Sequence, residues 1–179
     1  IDYSLRHPEI YSARISTQDI WGGGWCHCEK CQSLTPQDQY VIVTNAIAKA
    51  WAEAGRKTRS LNVPYRDTLE ARLSTKPDEK TLFEFHPRER CYAHALNDPQ
   101  CERNWWYRYN FEKWVEAIGK AEMDMLGYYG DCILFNSFPV NLTKVISEDM
   151  AYYKKAGVAG VSYLLMGKYC WWAYPLNMY

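Results

Sequence analysis

No run of five or six basic residues occurs in the 179 positions, and lysine plus arginine only balance aspartate plus glutamate, at 21 each. No stripe of cations recurs along a helix either, so the electrostatic footprint of a nucleic-acid-binding chain is missing and no nucleic-acid partner is expected. No apolar run approaches the roughly 18–20 residues needed to cross a bilayer, which excludes a helical membrane span from the reading. Neither a G-x-G-x-x-G nor a P-loop follows any strand-like run, which argues against nucleotide binding. Internal repeats and low-complexity segments are absent. The opening IDYSLRHPEI has neither a methionine nor a signal-peptide core, and the chain is expected to be trimmed or excised from something longer. Phenylalanine is scarce, with 5 residues against 8 tryptophans and 15 tyrosines.

That imbalance is the first positive signal. Soluble cores favour leucine, isoleucine, valine and phenylalanine, whereas tryptophan and tyrosine join an apolar face to a polar handle and suit sites that stack on partly polar ligands such as sugars. A core that simply uses large residues is the plainer account of the same tryptophans. With 47% hydrophobic residues the chain has enough apolar mass for a real core.

Period and punctuation alternate short strands with amphipathic helices. Residues 10–16 read as a strand, followed by a Gly- and Cys-rich loop over 21–34. Thr35 and Pro36 open a helix with Tyr40, Val43, Ile47, Ala50 and Ala54 on one face, ended by Gly55. Strands are expected over 58–65 and 81–86. Asn110 can cap a second helix, with Phe111, Trp114 or Val115, and Ile118 on its stripe, running to about Ala121. A strand over 123–129 follows, then a helix capped by Asn141 with Val145, Ile146, Met150 and Tyr153 inward and Gly157 as its stop, then a last strand over 159–165. This pattern predicts a parallel α/β fold. A complete (β/α)8 barrel needs roughly 200 residues or more, so a single domain over 1–179 has room for about five of its eight units. The expectation is the carboxy-terminal portion of a TIM-type barrel, about strands 4 to 8. The remaining strands, outside this chain, would be its partner, since a half-barrel on its own exposes sheet edges.

Barrel chemistry sits at the carboxyl ends of the strands. There the sequence places Asp19; Tyr65 and Arg66; His86, Arg88, Glu89, Arg90 and His94; Tyr128, Tyr129 and Asp131; and Lys168 with Trp171 and Trp172. Cleavage of a glycosidic bond uses two acid groups, or one acid and a substrate acetamide. Asp19 and Asp131 are the best-placed carboxylates, each of which could equally satisfy a turn. Arg90 and His94 are candidates for positioning substrate, and Tyr65, Tyr128, Tyr129, Trp171 and Trp172 for lining the binding surface.

The sharpest local motif is Trp25-Cys26-His27-Cys28-Glu29-Lys30-Cys31, with Cys91 and Cys101 flanking His94 further on. Cys26, Cys28 and Cys31 can supply part of a tetrahedral zinc site, with Cys91 or a histidine as fourth ligand. Alternatively Cys28 or Cys26 pairs with Cys31, or either with Cys91 or Cys101, as a disulfide. Seven cysteines is an odd number, so one thiol stays unpaired or pairs elsewhere. No Cys-His-Asn nucleophile arrangement is evident, and the cluster reads as a staple for the loop; catalysis requires no cofactor.

Three segments together resemble a family of bacterial proteins catalogued as a domain of unknown function, DUF4838. These are Ile15-Ser16-x-x-Asp19 with WCHCEKC and the Thr35 helix bearing Asn45; RCYAHALNDPQCERN at 90–104; and KKAGVAGVSY at 154–163. The resemblance spans nearly the whole chain. It implies kinship to barrel glycoside hydrolases of the β-hexosaminidase-like and α-glucuronidase-like groups, and an exported, extracellular or cell-envelope protein. It also places Asp19 where hexosaminidase-like enzymes carry an acidic pair after their fourth strand. Those enzymes show Asp-Glu where this chain has Asp19-Ile20. A strand that in the family ends in Asp-Tyr reads Leu126-Gly127-Tyr128-Tyr129-Gly130-Asp131 here.

The resulting expectation is a glycoside hydrolase-like protein acting on a complex or acidic polysaccharide through Asp19 and Asp131. A non-catalytic carbohydrate-binding surface protein on a degenerate hydrolase barrel is the alternative, favoured by the Asp19-Ile20 departure. A third reading is a cytosolic zinc protein. Asn141-Leu142-Thr143 matches a glycosylation sequon or a helix cap.

Overall fold

In the computed structural model, which describes residues 6–7, 9–118, 123–136, 138 and 140–165, strands that pair in parallel alternate with helices, a mixed α/β fold. The chain divides into two units, Ile1–Phe85 and His86–Tyr179.

The first unit contains β1 (Ser12–Ile15), α1 (Pro36–Glu53), β2 (Arg59–Asn62), a 3-10 turn (Arg66–Thr68) and β3 (Leu82–Phe85). β1 pairs with β2 and β2 with β3, both in parallel, with Ile15 opposite Asn62 and Leu61 opposite Leu82. α1 begins as the sequence requires. Thr35 is extended, its hydroxyl accepts the Asp38 amide at 3.1 Å, and Pro36 occupies the first turn, where no amide is needed. Gly55, at φ +69°, follows its end.

The buried face is not the expected one. Tyr40 is inside, but Val43 is 52% exposed, and the burial runs through Gln37, Val41, Thr44, Ala48 and Trp51. Thr44 occupies a core position because its hydroxyl is satisfied there: it donates to the Tyr40 and Val41 carbonyls and accepts from Asn62 Nδ2. A stripe assembled only from apolar residues misses such a position. β2 also ends earlier than the predicted 58–65. The Val63 amide donates to the Tyr40 hydroxyl instead of a ladder partner, and Pro64 has no amide to offer. Tyr40 in turn donates to the Ile15 carbonyl, so one phenol ties together the carboxyl ends of β1 and β2.

Asp38 is almost fully enclosed and accepts from the Ser74 and Thr75 amides, at 2.8 and 2.6 Å, and from the Thr35 hydroxyl. Burial alone would raise its pKa, but the Thr75 and Ser74 amides and the Thr35 hydroxyl outweigh it and hold the carboxyl at about 2. A carboxylate depressed in the folded state stabilises fully above its unfolded pKa, near 3.9, and that stabilisation is lost as pH falls toward the folded value. Urea midpoints followed from about pH 5 to 2 are therefore expected to fall more steeply for the native protein than for Asp38→Asn, which has no proton to gain. Parallel curves would show that the carboxylate carries no such linkage.

The second unit contains α2 (Glu102–Ile118), β4 (Met123–Gly130), α3 (Thr143–Ala156) and β5 (Val161–Leu165), with β4 and β5 parallel and Met125 opposite Val161. β4 is buried along nearly its whole length, as strands covered on both faces are. Asn110 does not cap α2. The helix starts eight residues earlier, and Asn110 lies inside it with its amide nitrogen donating to the Trp106 carbonyl at 3.0 Å. The Phe111–Trp114 stripe was the visible half of a longer one running back through Tyr107 and the buried Asn104. Asn141 does not cap α3 either. Leu142 stands at that position, and Asn141 accepts the Thr143 amide one residue out, at 3.1 Å. Val145, Ile146 and Tyr153 are buried as expected, and Gly157, left-handed at φ +78°, ends the helix. Among the described residues no helix is long and apolar enough to cross a membrane.

Candidate functional site

In the first unit, side chains from just beyond β1 and β2 meet at the surface. Asp19 and Trp21 leave β1; Tyr65, Arg66 and Asp67 leave β2. The Arg66 guanidinium lies 5.0 Å from the Tyr65 ring centre and 5.6 Å from that of Trp21, while its Nε donates to Asp19 at 2.7 Å. Trp21 is 55% exposed and the Asp19 side chain 76%, so an indole face and a carboxylate are offered to solvent side by side. Asp67 fastens the loop beneath them, accepting from the Gly22 amide at 2.7 Å and from Trp25 Nε1 at 2.9 Å. Gly22 sits at φ +65°, a conformation that a side chain would strain. Arg66 itself adopts φ +48°, unusual for a residue with a Cβ.

In the second unit the candidates are mostly enclosed. Asp131 is fully buried; it takes Arg88 Nε at 2.7 Å and the amides of Ile133 and Leu134 at 2.9 and 3.0 Å, the turn-satisfying role open to an aspartate at that place. Tyr128 bonds His86 Nδ1 at 2.8 Å. Arg90, expected at the substrate, is buried and grips both oxygens of Asp149, with Tyr92 and Tyr129 against its guanidinium. Tyr129 donates to the same carboxylate, as does the Leu96 amide at 2.7 Å. Arg90 and Tyr129 thus belong to an internal polar network. His94 is exposed, with Nδ1 3.3 Å from Cys91 Sγ. Trp171 and Trp172 lie outside the described residues.

Two sets of soft donors converge. The Cys26, Cys28 and Cys31 sulfurs lie within 4.8 Å of one another, as do the donor atoms of Cys91, His94 and Cys101; either set can hold a metal ion. In the first set Gln39 anchors Cys26, accepting its amide at 2.8 Å and donating to its carbonyl at 3.0 Å. The Cys26 thiol, with the Cys31 and Lys30 amides, lowers the Cys28 thiol pKa, whereas hydrogen bonding to Cys28 and Cys26 pushes Cys31 up to about 11. Three sulfurs competing for protons this closely are chemically suited to a thiophilic ion. The six described cysteines are free thiols.

Reading the sequence missed Trp21, Asp149 and Asn104. Trp21 had a signal, since it follows the same strand end as Asp19. Asp149 stood on the inward stripe of α3 between Val145 and Tyr153, and a lone acid on an apolar face announces a buried partner. Nothing local marked Asn104. Set against protein-family models, curated proteins and solved structures, the chain matches none.

Proposed function

We propose that this chain is the carboxy-terminal portion, about strands 4 to 8, of a (β/α)8 barrel of glycoside hydrolase type, and that it binds oligo- or polysaccharide on the Asp19–Trp21–Tyr65–Arg66 surface. The parallel pairing and the strand-then-helix order support the scaffold, with the rest of the barrel as partner. The observation that carries the binding reading is the exposed indole of Trp21 flanked by Arg66 and Asp19. A sugar ring stacks its C–H face on an indole, and its hydroxyls need planar donors and acceptors at the rim, which a guanidinium and a carboxylate supply. The left-handed Arg66 is backbone strain of the kind that collects at binding sites. An exported location and a zinc ion stapling loop 21–34 through Cys26, Cys28 and Cys31 complete this reading.

Calorimetric titration with a panel of neutral and uronic-acid-containing oligosaccharides tests it. Trp21→Ala is expected to weaken binding about tenfold or more, a loss of about 1.4 kcal/mol, and Arg66→Ala to discriminate most strongly against the acidic members. Unchanged affinity in both variants removes the surface from consideration. Hydrolysis is the second reading, favoured by the accessible Asp19. With Asp131 enclosed and bonded to two amides and Arg88, that reaction needs its second acid from elsewhere in the barrel. Reducing-end release that disappears in Asp19→Asn would establish it.

A further inference from the structure

We propose that Cys91, His94 and Cys101 form a binding site for a zinc-class divalent ion in the loop leading into α2, separate from the Cys26–Cys28–Cys31 cluster and from the saccharide surface. Ligand atoms around a tetrahedral zinc, with bonds of about 2.3 Å to sulfur and about 2.0 Å to nitrogen, stand about 3.6–3.8 Å apart. The three donors here lie within 4.8 Å of one another, and Cys91 Sγ is 3.3 Å from His94 Nδ1. Small side-chain rotations bring them onto one ion. Two thiolates and a neutral imidazole balance a dication, and binding releases the two thiol protons.

The backbone of this loop is set in advance. Asn104, fully buried on the first turn of α2, accepts the Cys91 amide at 2.8 Å and donates to the carbonyls of Cys91, His94 and Ala95 at 3.0, 3.0 and 2.9 Å. Cys101 is held from both sides: its amide donates to the Asp98 carbonyl, and its own carbonyl accepts the Trp105 amide to start the helix. A site whose ligands sit on a fixed frame avoids the ordering cost that a floppy cysteine cluster would meet. Cys101 is buried, Cys91 half-buried and His94 exposed, so the cluster runs from the interior to the surface and an ion there can be reached by solvent on the His94 side. Three protein ligands with one open position is the arrangement that keeps a water or a small ligand on zinc.

The test uses the full chain, fully reduced, with Cys26, Cys28, Cys31, Cys132 and Cys170 all changed to serine so that Cys91 and Cys101 are the thiols left to respond. Cobalt(II) titration is expected to give one equivalent of uptake, with the intense near-ultraviolet sulfur band and visible bands of tetrahedral coordination, displaced by zinc. His94→Ala should weaken uptake at least tenfold. Cys101→Ser, which leaves Cys91 as the one thiolate of the site, should weaken uptake at least tenfold and leave about half the sulfur band at saturation while the helix stays folded, since serine is a good residue at a helix start; far-ultraviolet circular dichroism checks this. A folded five-serine protein that shows no tetrahedral cobalt spectrum overturns the proposal, including the case in which a Cys91–Cys101 disulfide forms instead. Uptake that neither His94→Ala nor Cys101→Ser alters also overturns it.

Discussion

Asp149→Ala is expected to destabilise the protein by about 3–5 kcal/mol, lowering the midpoint of thermal unfolding by about 10 °C for a chain of this length. Asp149 is fully enclosed on α3 and serves three donors at once: the Arg90 guanidinium through both oxygens, the Tyr129 hydroxyl and the Leu96 amide. Removing it strands a buried cation. The guanidinium cannot shed its proton, since an arginine stays protonated even where it is buried. The pair need not be stabilising in itself, because burying two charges costs about what their attraction returns. Arg90→Met with Asp149→Leu is therefore expected to recover part of the loss, the Tyr129 hydroxyl and the Leu96 amide still lacking the acceptor that Asp149 gave them. Differential scanning calorimetry of the three variants decides it. A single Asp149→Ala variant that melts within a degree or two of the native protein would mean Arg90 reaches water, against its burial here.

Asn104→Ala should cost about 3 kcal/mol, from one buried amide left without an acceptor and weaker losses at three carbonyls. The same substitution is expected to weaken cobalt uptake at Cys91, His94 and Cys101 by about tenfold or more, because groups that orient metal ligands matter nearly as much as the ligands. Asn104→Asp keeps an acceptor for the Cys91 amide but sets a buried carboxylate oxygen against the Cys91, His94 and Ala95 carbonyls, and should be at least as destabilised as Asn104→Ala in chemical denaturation. If Asn104→Ala unfolds at the native denaturant concentration, the loop is held by something other than this side chain.

Much of the architecture was legible because it depends on local chemistry. Thr35-Pro36 could only start a helix and Gly157 could only stop one, since a hydroxyl acceptor, a missing amide and a missing Cβ act within a turn of themselves. The described strands were readable as short runs between turn residues, and the strand-helix alternation made parallel pairing the expected outcome. The cysteine motif announced donors close enough to share an ion, because three thiols within six residues cannot separate far.

Tertiary structure decided the rest, wherever a polar side chain's partner lies far along the chain. Thr44 and Gln37 are inside α1 and Val43 outside because the helix rolled to satisfy hydrogen bonds with residues 18 to 30 positions away. Asn110 and Asn141 have the chemistry of caps, yet α2 begins at Glu102, with its buried stripe running back through Tyr107, and Leu142 stands at the cap position of α3. Arg90 and Asp131 follow strands as ligand-binding residues would, and only the fold revealed that Asp149 and Arg88 were waiting for them. The sequence by itself determined which residues could carry charge, stack or bind metal. Which of those face solvent was settled by distant partners, because a buried charge must be paired and sequence spacing does not say with what.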